Sequence, residues 1–318
     1  MTRIAAVIIG RNEGARFLAC LASLPGTLDP VVYVDSGSND GSVAAAEEHG
    51  AQVVLLDTSQ PFTAARARNA GLAVLPDGVE FVQLIDGDCA LQEGWVETAT
   101  TALTANPKLA VVCGRRQERH PEASVYNQLC DWEWDTPIGP ALACGGDAMM
   151  RLSALRDVGG YREDLIAGEE PELCLRLRAA GWGIERLDAP MTWHDAAMTR
   201  FGQWWLRSKR AGHAFAEGAA LHGAPPERHW VKETRRALIW GAGLPLLILI
   251  CLIAAPKAAA LFGLAYPAQV VRMGLKGSWL AAFFTTLGKF PEAQGAVAYY
   301  LSRLSGRKRA IVEYKEKG

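Results

Sequence analysis

Two carboxylates separated by a single glycine, Asp86-Gly87-Asp88, follow the apolar run Glu80-Phe81-Val82-Gln83-Leu84-Ile85. That run reads as a buried strand. Acids at i and i+2 just past a strand end can both turn toward one point above the sheet. Hard divalent cations take oxygen ligands, and Mg2+ or Mn2+ held by one or two carboxylates keeps positions for substrate phosphates. A solvated turn has the same three residues, so the weight of the tripeptide rests on groups elsewhere. Gly10-Arg11-Asn12-Glu13-Gly14 follows the first apolar run without the G-x-G-x-x-G spacing of a dinucleotide site. Asp35-Ser36-Gly37-Ser38-Asn39-Asp40-Gly41 sets a carboxylate before a hydroxyl-rich turn. Ala67-Arg68-Asn69-Ala70-Gly71 could aim a guanidinium at phosphate. Gly168-Glu169-Glu170-Pro171 opens a helix, where amide donors orient a carboxylate that can act as a general base.

The elements that must position these groups alternate in type. Ile4 to Ile9, Val31 to Val34, Gln52 to Leu56, Phe81 to Ile85 and Ala110 to Cys113 read as strands. Between them Ala15 to Ser23, Ser42 to His49, Ala64 to Val74 and Gly94 to Asn106 read as helices. This alternation predicts an α/β fold with a mostly parallel sheet flanked by helices. Ligands bind at the carboxyl ends of such strands, and Asp35, Asp86 and Asp88 all fall there.

With a net charge of −1, the 318 residues carry no basic field that would point to nucleic acid. The seven cysteines are scattered without a C-x-x-C pair, which argues against a zinc knuckle or a secreted disulfide scaffold and for reduced cytosolic thiols. The six-residue apolar run before Gly10 is shorter than a signal-peptide core, so the catalytic part is expected in the cytoplasm. Composition changes near Trp230, giving expected domains 1–230 and 231–318. Ala237 to Ala255 holds nineteen residues without a charge, about 28 Å of helix, close to a bilayer's hydrocarbon thickness. A second apolar run, Ala258 to Val271, follows Pro256-Lys257. Arg235 and Arg236 before the first run, and Arg272 and Lys276 after the second, suit a hairpin with cytoplasmic ends. Trp279 to Leu287 and Ala293 to Leu304, with Arg303, Arg307, Lys308 and Arg309, read as interfacial helices on anionic lipid. A buried soluble helix pair is the alternative. Gln203-Trp204-Trp205-Leu206-Arg207-Ser208-Lys209-Arg210 suits a helix at headgroup level, or an ordinary amphipathic helix. Arg115 to His120 reads as a solvated charged edge with no assigned role.

Taken together, these motifs from Ile4 to His194 resemble the inverting glycosyltransferases of family 2, which have the GT-A nucleotide-diphospho-sugar fold. The resemblance implies donor-binding roles for Asn12, Glu13, Asp35, Arg68 and Asp86. It implies a metal site of Asp86 and Asp88, with Asp88 the preferred direct ligand and His194 a third-ligand candidate; a loop histidine is the other reading of His194. The family's catalytic base lies in a Glu-Asp pair before a helix. Here that pair is Glu169-Glu170, with Glu where Asp is usual, making Glu170 the base and Glu169 a cap or acceptor contact. Cys144-Gly145-Gly146-Asp147 matches a stretch that brings backbone close to the sugar or acceptor. The implied cofactor is Mg2+ or Mn2+. The implied partners are a UDP- or GDP-linked sugar, a polyprenyl- or lipid-linked acceptor, and membrane lipids on the cytoplasmic face. A sugar-phosphate nucleotidyltransferase and a non-catalytic membrane scaffold are the rival readings.

Overall fold

The run Ile4-Ala5-Ala6-Val7-Ile8 opens the chain as a strand buried on both faces, which a sheet achieves only between helices. The computed structural model describes residues 2–306. It divides into two compact units, Met1–Thr199 and Arg200–Gly318.

The first unit is built on a nine-stranded mixed sheet. Its strands are β1 (Arg3–Gly10), β2 (Leu28–Asp35), β3 (Gln52–Leu55), β4 (Val79–Asp86), β5 (Cys89–Leu91), β6 (Leu109–Glu118), β7 (Gly139–Pro140), β8 (Ala148–Arg151) and β9 (Gly183–His194). The sheet order is β3-β2-β1-β4-β8-β6-β9-β5, with β7 also on β9. The β3-β2-β1-β4 half is parallel, as the alternation predicts. The other half is not uniform. β8 runs antiparallel to both β4 and β6, and β5 and β7 antiparallel to β9. The fully buried Ala148, Met149 and Met150 hold β8 in the centre of the sheet.

Helices α1 (Ala15–Ala22), α2 (Ser42–Glu48), α3 (Ala64–Ala73), α4 (Trp95–Ala105), α5 (Val125–Trp134), α6 (Leu152–Asp157) and α7 (Glu169–Ala179) complete this unit. Gly71 on α3 shows how closely they pack, since a Cβ there would meet Val7 and stand 3.0 Å from Val34. At the sheet's carboxyl edge the register sets Gly10 beside Asp35 and Ile9 beside Asp86, so the acids that end β2 and β4 flank the end of β1.

The second unit is helical: α8 (Phe201–His222), α9 (Val231–Leu238), α10 (Leu244–Ala254), α11 (Pro256–Gly263), α12 (Ala265–Gly274), α13 (Trp279–Leu287) and α14 (Lys289–Ser305). Small residues let α8 and α14 approach backbone to backbone, Gly212 against Glu292 and Gly295 against Lys209. A π turn at Ile239–Gly243 joins α9 to α10. The resulting helix, Val231–Ala254, is long and apolar enough to cross a membrane, with only 6% of its apolar window buried. Ile253 is 91% exposed, and Leu246, Leu249 and Ile250 are also exposed. The second apolar run is divided at Leu264 between α11 and α12, and among the described residues one helix alone meets the spanning criterion. The basic residues Arg307, Lys308 and Arg309 lie outside the described residues.

Candidate functional site

The loop after β1 and the loop after β2 are tied to each other. Asp35, 3% exposed, accepts hydrogen bonds from the amides of Gly37 and Ser38 at 2.8 and 2.9 Å and from the Tyr33 hydroxyl at 3.0 Å. The Asn12 amide donates to Ser38 Oγ at 3.0 Å, and Asn12 Oδ1 accepts from the Asn39 amide at 2.8 Å. Asn12 adopts a left-handed backbone, φ 54°, which asparagine tolerates better than most residues. Glu13 pairs with Arg16 at 2.7 Å. Asn12, Glu13 and Asp35 therefore cluster at the ends of β1 and β2, where Asn12 and Asp35 hold the two loops in place.

Beyond β4 the two acids of Asp86-Gly87-Asp88 go separate ways. The Gly87 amide donates to the Ile9 carbonyl at 2.8 Å, and a Cβ on Gly87 would stand 3.2 Å from that oxygen, so the turn hugs β1. Asp86 faces two arginines, Arg68 at 2.8 Å and Arg116 at 3.6 Å. Arg68 is 2% exposed; its other nitrogen reaches Glu169 at 2.9 Å, and its guanidinium lies 5.4 Å from the Tyr161 ring centre. Arg116 also pairs with the fully buried Asp147 at 2.8 Å. Asp147 in turn accepts from the Asp86 amide at 3.0 Å and from the Thr192 hydroxyl at 2.9 Å. Burial alone would push the Asp86 carboxyl up; Arg68 and Arg116 outweigh it and hold the group below its ordinary value. Burial likewise disfavours charge on Arg68, and Asp86, Tyr161 and Glu169 more than restore it. Gly146 belongs to this network through its lack of a side chain, since a Cβ there would stand 2.6 Å from Asp86 Oδ2 and 3.1 Å from both guanidinium groups.

Asp88, 5% exposed, turns instead toward β9. β5 pairs with β9 so that Cys89 lies opposite His194, bringing His194 Nε2 to 3.4 Å from Asp88 Oδ2. Glu118 approaches His194 Nδ1 at 3.6 Å, and the Trp134 ring packs edge-on against the imidazole with centroids 4.6 Å apart. Ligand atoms of Asp88, Cys89 and His194 all fall within 4.8 Å of one another. His194 is thus the last residue of a strand and buried, which removes the loop-histidine reading.

The two glutamates at the start of α7 also diverge. Glu169 pairs with Arg68 at 2.9 Å. Glu170, 6% exposed, accepts at Oε1 from the Cys144 amide at 2.7 Å, the Cys144 thiol at 3.1 Å and the Cys174 thiol at 2.9 Å.

The sequence assigns no role to Arg116 and Glu118, and places Asp147 only in a stretch of close backbone approach. Arg115 to His120 is no solvated edge: its first four residues end β6, which runs parallel to β9 with Glu118 opposite His194. The period of two sends Arg116 and Glu118 to the side of the sheet that carries the site, while Arg115 pairs with Asp131 at 3.0 Å. Extending the strand pattern past Cys113 would have found them.

The family model for glycosyl transferase family 2 matches residues 6–157. An uncharacterized glycosyltransferase of Mycobacterium tuberculosis is 30% identical over 191 residues, covering 56% of this chain and 79% of that relative. The chain belongs to glycosyltransferase family 2. The pre-mycofactocin glycosyltransferase of M. tuberculosis is 28% identical over 235 residues, 69% of this chain and 48% of the relative, so the family 2 chain spans about half the length of that protein. Among solved structures, the mannosyltransferase PcManGT of Pyrobaculum calidifontis, in complex with GDP-Man and Mn2+, superposes with a TM-score of 0.64 at 16% identity, covering 93% of this chain and 87% of that one. TarS residues 1–349 of S. aureus, in complex with UDP-GlcNAc, gives 0.51 at 14% identity, covering 96% and 93%. These likenesses show the GT-A fold for the family 2 chain.

Proposed function

We propose that this chain is a metal-dependent, inverting glycosyltransferase. It would move one sugar from a UDP- or GDP-linked donor to the hydroxyl of a lipid-linked glycan in polysaccharide or cell-envelope synthesis. The observation that carries the reading is the network of Asp86, Arg68, Arg116 and Glu169, whose two acids stand two residues from Asp88 and next to Glu170 in the chain. One diphosphate-sugar has its phosphate end and its reacting carbon recognised by those two kinds of group.

Asn12, Glu13 and Asp35 are assigned to the nucleoside, held by loops that close over the ends of β1 and β2. Arg68 and Arg116 are assigned to the diphosphate, where both keep their charge because acids surround them. Asp88 and His194, with Asp86 beside them, are assigned to Mg2+ or Mn2+. The carboxylate oxygens are the donors that suit Mg2+ or Mn2+, with the His194 nitrogen and the Cys89 sulfur within 4.8 Å of Asp88. When bound, the cation neutralises negative charge on the leaving diphosphate. Glu170 is assigned as the base: it takes the proton of the acceptor hydroxyl as that oxygen attacks the anomeric carbon opposite the departing diphosphate. One bond forms, one breaks, and the sugar's configuration inverts. The Cys144 amide and the N-terminus of α7 fix the direction of this carboxylate.

Residues 1–230 are assigned to catalysis and 231–318 to attachment at the cytoplasmic face of the membrane. The exposed apolar surface of α10 supports the attachment, and it supports a lipid-linked acceptor. A complex with GDP-Man and Mn2+ in one structural relative and with UDP-GlcNAc in another supports the donor class.

The test is a donor screen with the full chain in detergent and Mn2+, following nucleoside diphosphate release with and without membrane lipid extract. The expected result is release from one donor class that needs the metal and rises with lipid. Glu170→Gln should keep nucleotide affinity and lose turnover by about 10²–10⁴-fold. Pyrophosphate release from a nucleoside triphosphate would replace the reading with a nucleotidyltransferase. Metal-independent nucleotide binding with no donor turnover would replace it with a scaffold.

A further inference from the structure

Cys144, Glu170 and Cys174 bring two sulfurs and one carboxylate oxygen within 4.8 Å of one another, from a loop and from α7. The sulfurs are 3.7 Å apart. Two thiolates on one tetrahedral zinc ion, each at about 2.3 Å, would be separated by about 3.8 Å. Glu170 Oε1 lies 3.1 and 2.9 Å from the two sulfurs; the tetrahedral geometry asks for roughly 3.6 Å, an opening of about half an ångström. Glu170 and Cys174 stand one helical turn apart, so one backbone segment fixes both toward the same point. The Cys144 amide donates to Oε1 at 2.7 Å and so orients the carboxylate. Glu170 and Cys174 are buried and Cys144 is half-buried, leaving an approach from the loop side.

We propose that this cluster is a second metal site, distinct from that of Asp88 and His194, which takes a thiophilic divalent cation of the zinc type. Three protein ligands leave the fourth tetrahedral position open, for water or for another ligand. Two sulfur donors favour such an ion over Mg2+ or Mn2+, and the cluster of Asp88 and His194 has one sulfur, that of Cys89, beside its carboxylate. The sulfurs bind as thiolates, so occupancy of the site displaces protons. A consequence rests on the assignment of Glu170 as base. An ion on Oε1 removes that carboxylate from proton transfer, so zinc restrains sugar transfer without touching the donor site.

The experiment uses the full chain in detergent, saturated with Mn2+ and then titrated with Zn2+. Zinc-edge X-ray absorption should find two sulfur neighbours at about 2.3 Å. Cys144→Ser and Cys174→Ser should each leave one sulfur and weaken Zn2+ binding at least tenfold in chelator competition. Cys89→Ser should change neither reading. A zinc shell without sulfur overturns the site, as does a single sulfur that disappears with Cys89. Zn2+ should also lower the Mn2+-supported transfer rate in the unaltered chain, and not in Cys174→Ser. If no donor is turned over, the glycosyltransferase reading fails while the sulfur count still decides the site. If two-sulfur zinc leaves transfer unchanged, the inhibitory consequence is overturned alone.

Discussion

Replacing Arg68 by methionine tests the reasoning about the site where electrostatics and folding meet. Methionine keeps much of the stem and removes the charge. Arg68 is 2% exposed and stands 2.8 Å from Asp86 and 2.9 Å from Glu169, so two carboxylates lose their shared cation. Removing one partner of a buried ion pair costs about 3–5 kcal/mol. Arg116 stays 3.6 Å from Asp86 and the Asp86 side chain is 28% exposed, which points to the lower end, about 3 kcal/mol. For a unit of this size that is a fall in melting temperature of about 6–12 °C. The loss also has a pH signature. The two arginines hold the folded Asp86 carboxyl below its ordinary value, so its stabilisation is complete above the unfolded carboxyl pKa of about 3.9 and disappears as pH falls through the lower folded value. The gap between the two proteins should therefore be full near pH 7 and shrink below about pH 4. Thermal melts of both proteins across that range read the difference directly. A deficit under about 1 kcal/mol, or one that stays constant as the carboxyls protonate, would refute the assignment of Arg68 as the cation that Asp86 and Glu169 depend on.

Three further outcomes follow from particular contacts. Gly146→Ala puts a Cβ 2.6 Å from Asp86 Oδ2, so it should destabilise by about 1–3 kcal/mol in thermal melts and weaken nucleotide binding in a calorimetric titration; a neutral result in both contradicts the close approach. Asp147→Asn keeps an acceptor for the Asp86 amide but sets an uncharged group against Arg116, at a cost of about 2–3 kcal/mol in denaturant unfolding, and an unchanged midpoint speaks against that pairing. Asp88→Asn should weaken Mn2+ binding, followed by electron paramagnetic resonance, at least tenfold, whereas Glu118→Gln should weaken it less because Glu118 acts through His194; equal affinities in all three proteins would remove the metal assignment.

The parallel half of the fold was legible because each strand is a local event, and β1, β2 and β4 are apolar runs that end in glycine or an acid. β1, β2 and β4 fall where the alternation predicts, and their ends carry Asp35, Asp86 and Asp88. β8 was not legible. Four residues cannot declare themselves central, and only β4 on one side and β6 on the other make them so. The same holds for Arg116 and Asp147, whose charges look like surface until strands distant in sequence bring them together.

By itself, then, the sequence determined which chemical groups the chain owns and which strand ends display them, since both follow from residue type and local periodicity. Only the tertiary structure decided how neighbouring acids divide their work. Asp86 and Asp88 part at a turn pressed against the end of β1, one to the arginines and one to His194. Glu169 and Glu170 part because consecutive helix residues point about 100° from each other, one to Arg68 and one to Cys144 and Cys174. Adjacent charges are equivalent in a sequence; what each one faces is set by backbone direction and by partners that folding brings from elsewhere in the chain.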